Sequence, residues 1–181
     1  MSRFSLLFLG SFFLLLSLLS FFNIIYSYYF NLYLNLDAYL YTLLISLFLG
    51  GAFFFKKKDE IKISIFDKIL IVLLGYLVLP LIISIPYFLS IYNISFLDCY
   101  FESISGFTST GFTIFDNIKH LEQSLIIWRS TSQWIGGLYF LFSIILLIDI
   151  FDNNLRKSLT NFLSFNTSET FKQSFKVLII Y

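Results

Sequence analysis

Long apolar blocks alternate with short polar stretches along this chain. A helix needs about 20 mostly apolar residues to cross a bilayer. Four segments supply them, at about 4–26, 38–55, 66–89 and 122–148. A fifth apolar stretch starts near Phe171, and its eleven residues to Tyr181 are too few to cross. The pattern therefore predicts an all-α membrane protein that reads as cut short, the N-terminal fragment of something longer. Residues 1–60 form two leading transmembrane helices. Residues 61–150 form a unit of span, loop and span, and residues 151–181 form a cytoplasmic connection with the incomplete start of a second unit. Pro80 and Pro86 fall inside the third block, where each removes a backbone donor and bends the helix.

Composition strengthens the membrane reading. Hydrophobic residues make up 58% and charged residues 13%, where a soluble domain carries about 25% charged. The many phenylalanines are expected to face lipid. Arg3 precedes an apolar run longer than a cleaved signal's and without a small-x-small cleavage site, so a retained spanning helix is expected. The basic residues alternate from loop to loop. Lys56, Lys57, Lys58, Lys62 and Lys68 fill the second connection, and Arg156, Lys157, Lys172 and Lys176 follow the fourth block. The loops between hold only Lys119. Basic loops stay cytoplasmic, which predicts a multi-pass protein of the cell (inner) membrane with a cytoplasmic N-terminus. A net charge of +1 gives no reason to expect nucleic acid. With Cys99 and His120 as the only residues of their types, no disulfide, metal cluster or catalytic constellation can be assembled. Neither an enzyme nor a cofactor in this chain is expected.

The connection at 91–121 does not read as an ordinary loop. Apolar residues at 97, 100, 101, 104 and 107 have helical spacing. Twelve helical residues span about 18 Å, enough to enter a bilayer halfway and not to cross it. Thr108-Ser109-Thr110-Gly111 then breaks the helix. Gly111 tolerates positive φ, which lets successive carbonyls point to one side, and a ring of carbonyls can replace the hydration shell of K⁺. The fold expected is thus a set of transmembrane helices with a re-entrant pore helix and filter loop. An extracellular turn is the competing reading, since short Ser/Thr/Gly runs are common.

Residues 98–113 resemble the first pore loop of the Trk/Ktr/HKT superfamily of potassium transporters. Tyr100-Phe101-Glu102-Ser103 and Ser105-Gly106-Phe107-Thr108-Ser109-Thr110-Gly111-Phe112-Thr113 carry the likeness. Arg129 followed by Gln133-Trp134-Ile135-Gly136-Gly137 is similar to the family's Arg-x-x-x-Gln-Trp-x-Gly-Gly signature, and Ile85-Pro86-Tyr87-Phe88 fits as well. Leu138-Tyr139 stand where the family often places a small residue and another glycine. The two leading helices favour the TrkH-type branch. The resemblance implies four span–pore-loop–span repeats around one path for K⁺, with Thr108, Ser109, Thr110 and Gly111 supplying filter oxygens from the first. It also implies a cytoplasmic nucleotide-binding regulatory subunit as partner. Two alternatives stay open: a homo-oligomer in which copies rebuild a cation pore, and a truncated membrane protein that interacts without transporting.

Arg129 lies about 10 Å into the fourth span, and an intramembrane arginine needs a partner. It is expected to pair with Glu102 or Asp98 and brace the half-helix, with snorkelling to the interface as the rival. Gly136 and Gly137 are expected to permit close helix approach. Trp128 and Trp134 are read as packing or interfacial residues, and Asn93-Ile94-Ser95 as a chance glycosylation match.

Overall fold

The structure is a computed structural model that describes residues 3–54 and 65–151. The lysines at 56–58 and 62, the basic residues beyond 151 and the apolar stretch at 171–181 lie outside the described residues. Six α-helices occur among the described residues: α1 (Arg3–Tyr29), α2 (Leu36–Phe54), α3 (Ile65–Ile83), α4 (Ile85–Phe88), α5 (Phe96–Phe107) and α6 (Gln123–Phe151). Four stretches are long and apolar enough to cross a membrane: Leu7–Tyr29, Leu36–Phe53, Phe66–Phe88 and Gln123–Leu147. They coincide with the four apolar blocks of the sequence. The chain divides into two compact units, 1–142 and 143–181. Only the last turns of α6 represent the second unit among the described residues, and the helix packing and the candidate site belong to the first.

Contacts between helix ends set the directions. Asn23 near the end of α1 and Tyr39 near the start of α2 both bond Ser124 at the start of α6. The Trp128 indole donates to the Ile83 carbonyl at the end of α3. At the opposite end, Phe12 and Phe142 pack ring against ring, and the Tyr139 hydroxyl lies 3.0 Å from the Ile71 carbonyl. So α1 and α3 run antiparallel to α2 and α6.

Helix α2 buries mostly small and polar residues and exposes large apolar ones. In α2, Ala38, Tyr39, Thr42 and Ser46 are buried while Leu40, Leu44, Leu47 and Phe48 are exposed. Hydrocarbon solvates large apolar chains as well as a protein core does, so small residues gain most from contact between helices. Each buried hydroxyl still needs an acceptor. Thr42 donates to the Ala38 carbonyl, Ser46 to that of Thr42, and Ser20 crosses from α1 to the Tyr39 carbonyl at 2.6 Å. The expectation that phenylalanines face outward holds for Phe21, Phe22 and Phe48. It is corrected for Phe8, Phe12, Phe13 and Phe107, each at most 2% exposed. Together with Tyr76, Tyr139 and Phe142, Phe8, Phe12 and Phe107 form a continuous aromatic cluster with ring centroids 4.9–6.0 Å apart. Edge-to-face rings pack tightly without needing hydrogen bonds.

The third span is interrupted at Ser84, between α3 and α4, two residues before Pro86, whereas Pro80 lies inside α3. Pro86 lacks an N–H and its ring crowds the carbonyl four residues earlier. Trp128 supplies a donor to the neighbouring Ile83 carbonyl at 3.0 Å and is itself 1% exposed. Of the two tryptophans, Trp128 is therefore a packing residue with a bonded indole, whereas Trp134 is 52% exposed.

Candidate functional site

The helix read from residues 96–107 is present as α5, twelve residues long. Ser95 caps it, its hydroxyl oxygen accepting from the Asp98 backbone N–H at 3.2 Å. Asp98 in turn accepts from the Ser95 hydroxyl at 2.7 Å, which takes Asp98 away from Arg129. The apolar stripe of α5 is divided: Leu97 and Phe101 are exposed, Tyr100 and Ile104 half-buried and Phe107 buried. Cys99, Glu102, Ser103, Ser105 and Gly106 are buried as well. Burial pushes the Cys99 thiol up to about 11, Asp98 adding to it, so Cys99 is a poor nucleophile at neutral pH.

At its far end α5 reaches the middle of the bundle. The Phe107 ring lies 5.6 Å from Tyr76, near the midpoint of the span Phe66–Phe88, and 5.5 Å from Tyr139. Helix α6 approaches this end so closely that a Cβ on Gly136 would collide with the Phe107 backbone. Gly137 has no such neighbour, so close approach holds for the first glycine of the pair and not for the second. Tyr139 also packs closely despite its bulk: its phenol occupies the space over Gly75 and reaches the Ile71 and Val72 carbonyls.

The backbone reverses after Phe107. Thr110 N–H bonds the Ser105 carbonyl at 3.0 Å, and Ser109 N–H bonds that of Gly106 at 2.9 Å. This is the Schellman pairing, which needs a left-handed residue just past the helix. Glycine usually fills it; here Ser109 does, at φ 56°. Gly111 is also left-handed, at φ 82°. Thr108, between α5 and Ser109, has φ −85°, and Thr110 is not among the positive-φ residues. The sign of φ thus alternates from 108 to 111.

The carbonyls of Thr108, Ser109, Thr110 and Gly111 accept no hydrogen bond from the described residues, and all four residues are exposed. Side chains instead tie the segment down from behind. The Thr108 hydroxyl donates to the Ile104 carbonyl at 2.8 Å, and Thr110 Oγ1 lies 3.1 Å from the Ser105 carbonyl. Ser105 donates to the Phe112 carbonyl at 2.6 Å, and Arg129 Nη2 also reaches that oxygen.

Glu102 holds the centre of this arrangement. It is fully buried; one carboxylate oxygen accepts from Arg129 Nε at 2.5 Å and the other from the Ile114 N–H at 3.0 Å. The arginine brace expected from the sequence is therefore made with Glu102 and not Asp98. The pair links α5, the return segment and α6.

A second buried carboxylate was not foreseen. Glu122 is 9% exposed and accepts from Asn35 Nδ2 at 2.6 Å, Ser124 Oγ at 2.9 Å and the Leu34 N–H at 3.3 Å. Tyr92 receives the Glu122 N–H at 2.9 Å. The node fastens the turn between α1 and α2 to the start of α6. A carboxylate directly before an apolar span was the available signal, but its Asn35 partner lies 87 residues away in sequence.

Four helices long and apolar enough to cross a membrane, with no strand among the described residues, define the class: an all-α membrane protein. Comparison with known proteins then gives the family. The model of the family described as TrkH, cation transport protein, matches residues 36–181, and the chain belongs to that family. It is 44% identical over 64 residues to an uncharacterized cation transporter of Methanocaldococcus jannaschii, covering 35% of this chain and 14% of that one. It is 33% identical over 90 residues to the Trk system potassium uptake protein TrkG of Escherichia coli, covering 49% and 19%. It is 35% identical over 101 residues to the Trk system potassium uptake protein TrkH of Vibrio parahaemolyticus, covering 54% and 20%. The chain spans about a fifth or less of these curated relatives.

Proposed function

We propose that this chain contributes one wall of a potassium-uptake pathway, with the carbonyls of Thr108, Ser109, Thr110 and Gly111 as K⁺ ligands. The observation that carries this reading is four successive carbonyls, on exposed residues just past the end of α5, that accept no hydrogen bond from the described residues. Alternating φ turns neighbouring peptide units the same way, whereas a strand would send them to opposite sides. Carbonyls so arranged replace water around a dehydrated cation. The C-terminal end of α5 adds the negative end of its dipole. Glu102 and Arg129 are positioning residues: they hold the return segment at Ile114 and Phe112 and touch no ion.

In this reading α5 is the pore helix of a span–pore-loop–span repeat within residues 61–150, preceded by two leading helices. One such segment cannot encircle an ion, so the remaining walls come from further repeats or from other copies. The N-terminus is cytoplasmic by the basic-loop rule. A cytoplasmic nucleotide-binding regulatory subunit, implied by the sequence resemblance, belongs to the same proposal. Two relatives are named as potassium uptake proteins, which favours K⁺ as the cargo.

The test uses a complete transporter carrying this segment. Gly111→Asp places a charged side chain at a left-handed backbone position, and uptake or the preference for K⁺ over Na⁺ should be lost at normal membrane abundance. Gly111→Ala should weaken the preference without abolishing transport. Discrimination unchanged in both variants would remove the filter assignment.

A further inference from the structure

The turn between α1 and α2 carries a surface that the pathway does not use. Along the outer face of α1, Leu18, Phe21, Phe22 and Ile25 are exposed at helical spacing, a row suited to hydrocarbon. One turn further the same row becomes tyrosine: Tyr28 is 71% and Tyr29 77% exposed. Phe30, Tyr33 and Leu34 continue it around the turn, and Leu40, Tyr41, Leu44 and Ile45 carry it down the exposed face of α2. No charged residue occurs from Asn23 to Leu36.

This patch is fixed in place from within. The Ser27 carbonyl accepts the Leu32 N–H at 2.8 Å, Asn31 takes a left-handed φ of 56°, and Glu122 holds Leu34 and Asn35. The rings brace one another, Tyr26 against Phe30, Tyr29 against Phe30 and Tyr28 against Tyr33.

We propose that the turn at 28–34 is an aromatic anchor seated in the lipid headgroup layer. The occupant is lipid because the patch continues, without a break, the exposed apolar rows of two helices long enough to cross a membrane. The change from Leu, Phe and Ile to Tyr falls where the α1 span ends. A tyrosine ring suits the acyl boundary while its hydroxyl reaches headgroup or water. An aqueous tip would instead leave five neighbouring large apolar or aromatic residues in water. Since the turn has no charge, its seating is independent of headgroup sign.

The test is electron paramagnetic resonance on the whole chain in vesicles, with a nitroxide on Tyr29→Cys or Tyr33→Cys. Both carry Cys99→Ala, in a background first shown to unfold at the parent's temperature. Both positions point outward, so labelling leaves the core intact. Leu44→Cys marks mid-span and Asp116→Cys marks the aqueous loop. The oxygen-to-nickel-chelate accessibility ratio at 29 and 33 should be several-fold above the loop and several-fold below mid-span. It should be the same in phosphatidylcholine and in vesicles containing phosphatidylglycerol. A ratio equal to the loop's places the turn in water, and protection from both reagents buries it against protein; either overturns the proposal. A seating that needs anionic lipid overturns the uncharged anchor.

Discussion

Glu102 and Glu122 are both buried carboxylates that tie distant elements to α6, yet the molecule satisfies them differently. Glu102 meets a guanidinium and one backbone N–H. Glu122 has only uncharged partners among the described residues, an amide, a hydroxyl and a backbone N–H. It sits at the start of α6 and beside the start of α2, where the positive ends of two helix dipoles favour an anion. The elements they hold differ as well. Glu122 joins the turn before α2 to the first turn of α6. Glu102 holds an irregular segment with two left-handed residues and four carbonyls that accept no hydrogen bond among the described residues. Irregular backbone at membrane depth persists only where protein or water satisfies it, and a charged pair with short bonds gives that segment a single geometry. The contrast suggests that the stronger brace stands where the backbone is least able to hold itself.

The largest expected effect lies at the base of the Glu102 side. Gly136→Leu drives a side chain into the Phe107 backbone and should cost about 3 kcal/mol or more, at or beyond the upper end of ordinary overpacking because the obstacle is main chain. Thermal unfolding in detergent would show it as a large fall in midpoint. Gly137→Leu, with open space around it, should shift the midpoint little. Equal losses from the two would mean that α6 does not pack on α5 as described.

The next comparison sets the carboxylates against each other. Glu102→Gln leaves Arg129 without its counter-charge and should cost about 3 kcal/mol. Glu122→Gln turns an acceptor into a donor facing other donors and should cost about 1–2 kcal/mol. Denaturation of both variants ranks them. A Glu122→Gln loss as large as that of Glu102→Gln would break the distinction between a charged and an uncharged brace. A double cycle with Arg129→Gln sharpens it, since the coupling should appear with Glu102 and vanish with Glu122.

The smallest effect concerns the strained turn. Ser109 occupies a left-handed position that disfavours a side chain by about 1–2 kcal/mol. Ser109→Gly should therefore raise the unfolding midpoint, by about 1 kcal/mol in stability. A fall would show that the hydroxyl contributes more than the backbone strain removes.

Much of this was readable in the residues themselves. Bilayer thickness makes each spanning helix visible as an apolar block, and the half-length of α5 followed from twelve residues at helical spacing before a Ser/Thr/Gly break. The Arg129 brace was narrowed to two carboxylates because an intramembrane arginine needs a partner. Choosing between them required the fold: Ser95 caps α5 and holds Asp98 at its first turn, while Glu102, one turn on, faces α6. In a membrane, hydrophobicity does not separate inside from outside, because lipid and core are both apolar. Sequence therefore placed all phenylalanines in one class, and only tertiary packing sent Phe12 and Phe107 inward and Phe48 out. The Glu122 node was beyond reach for a related reason. Two of its three donors come from the turn between α1 and α2, and what brings Asn35 to Glu122 is the antiparallel packing of whole helices, which no local pattern records.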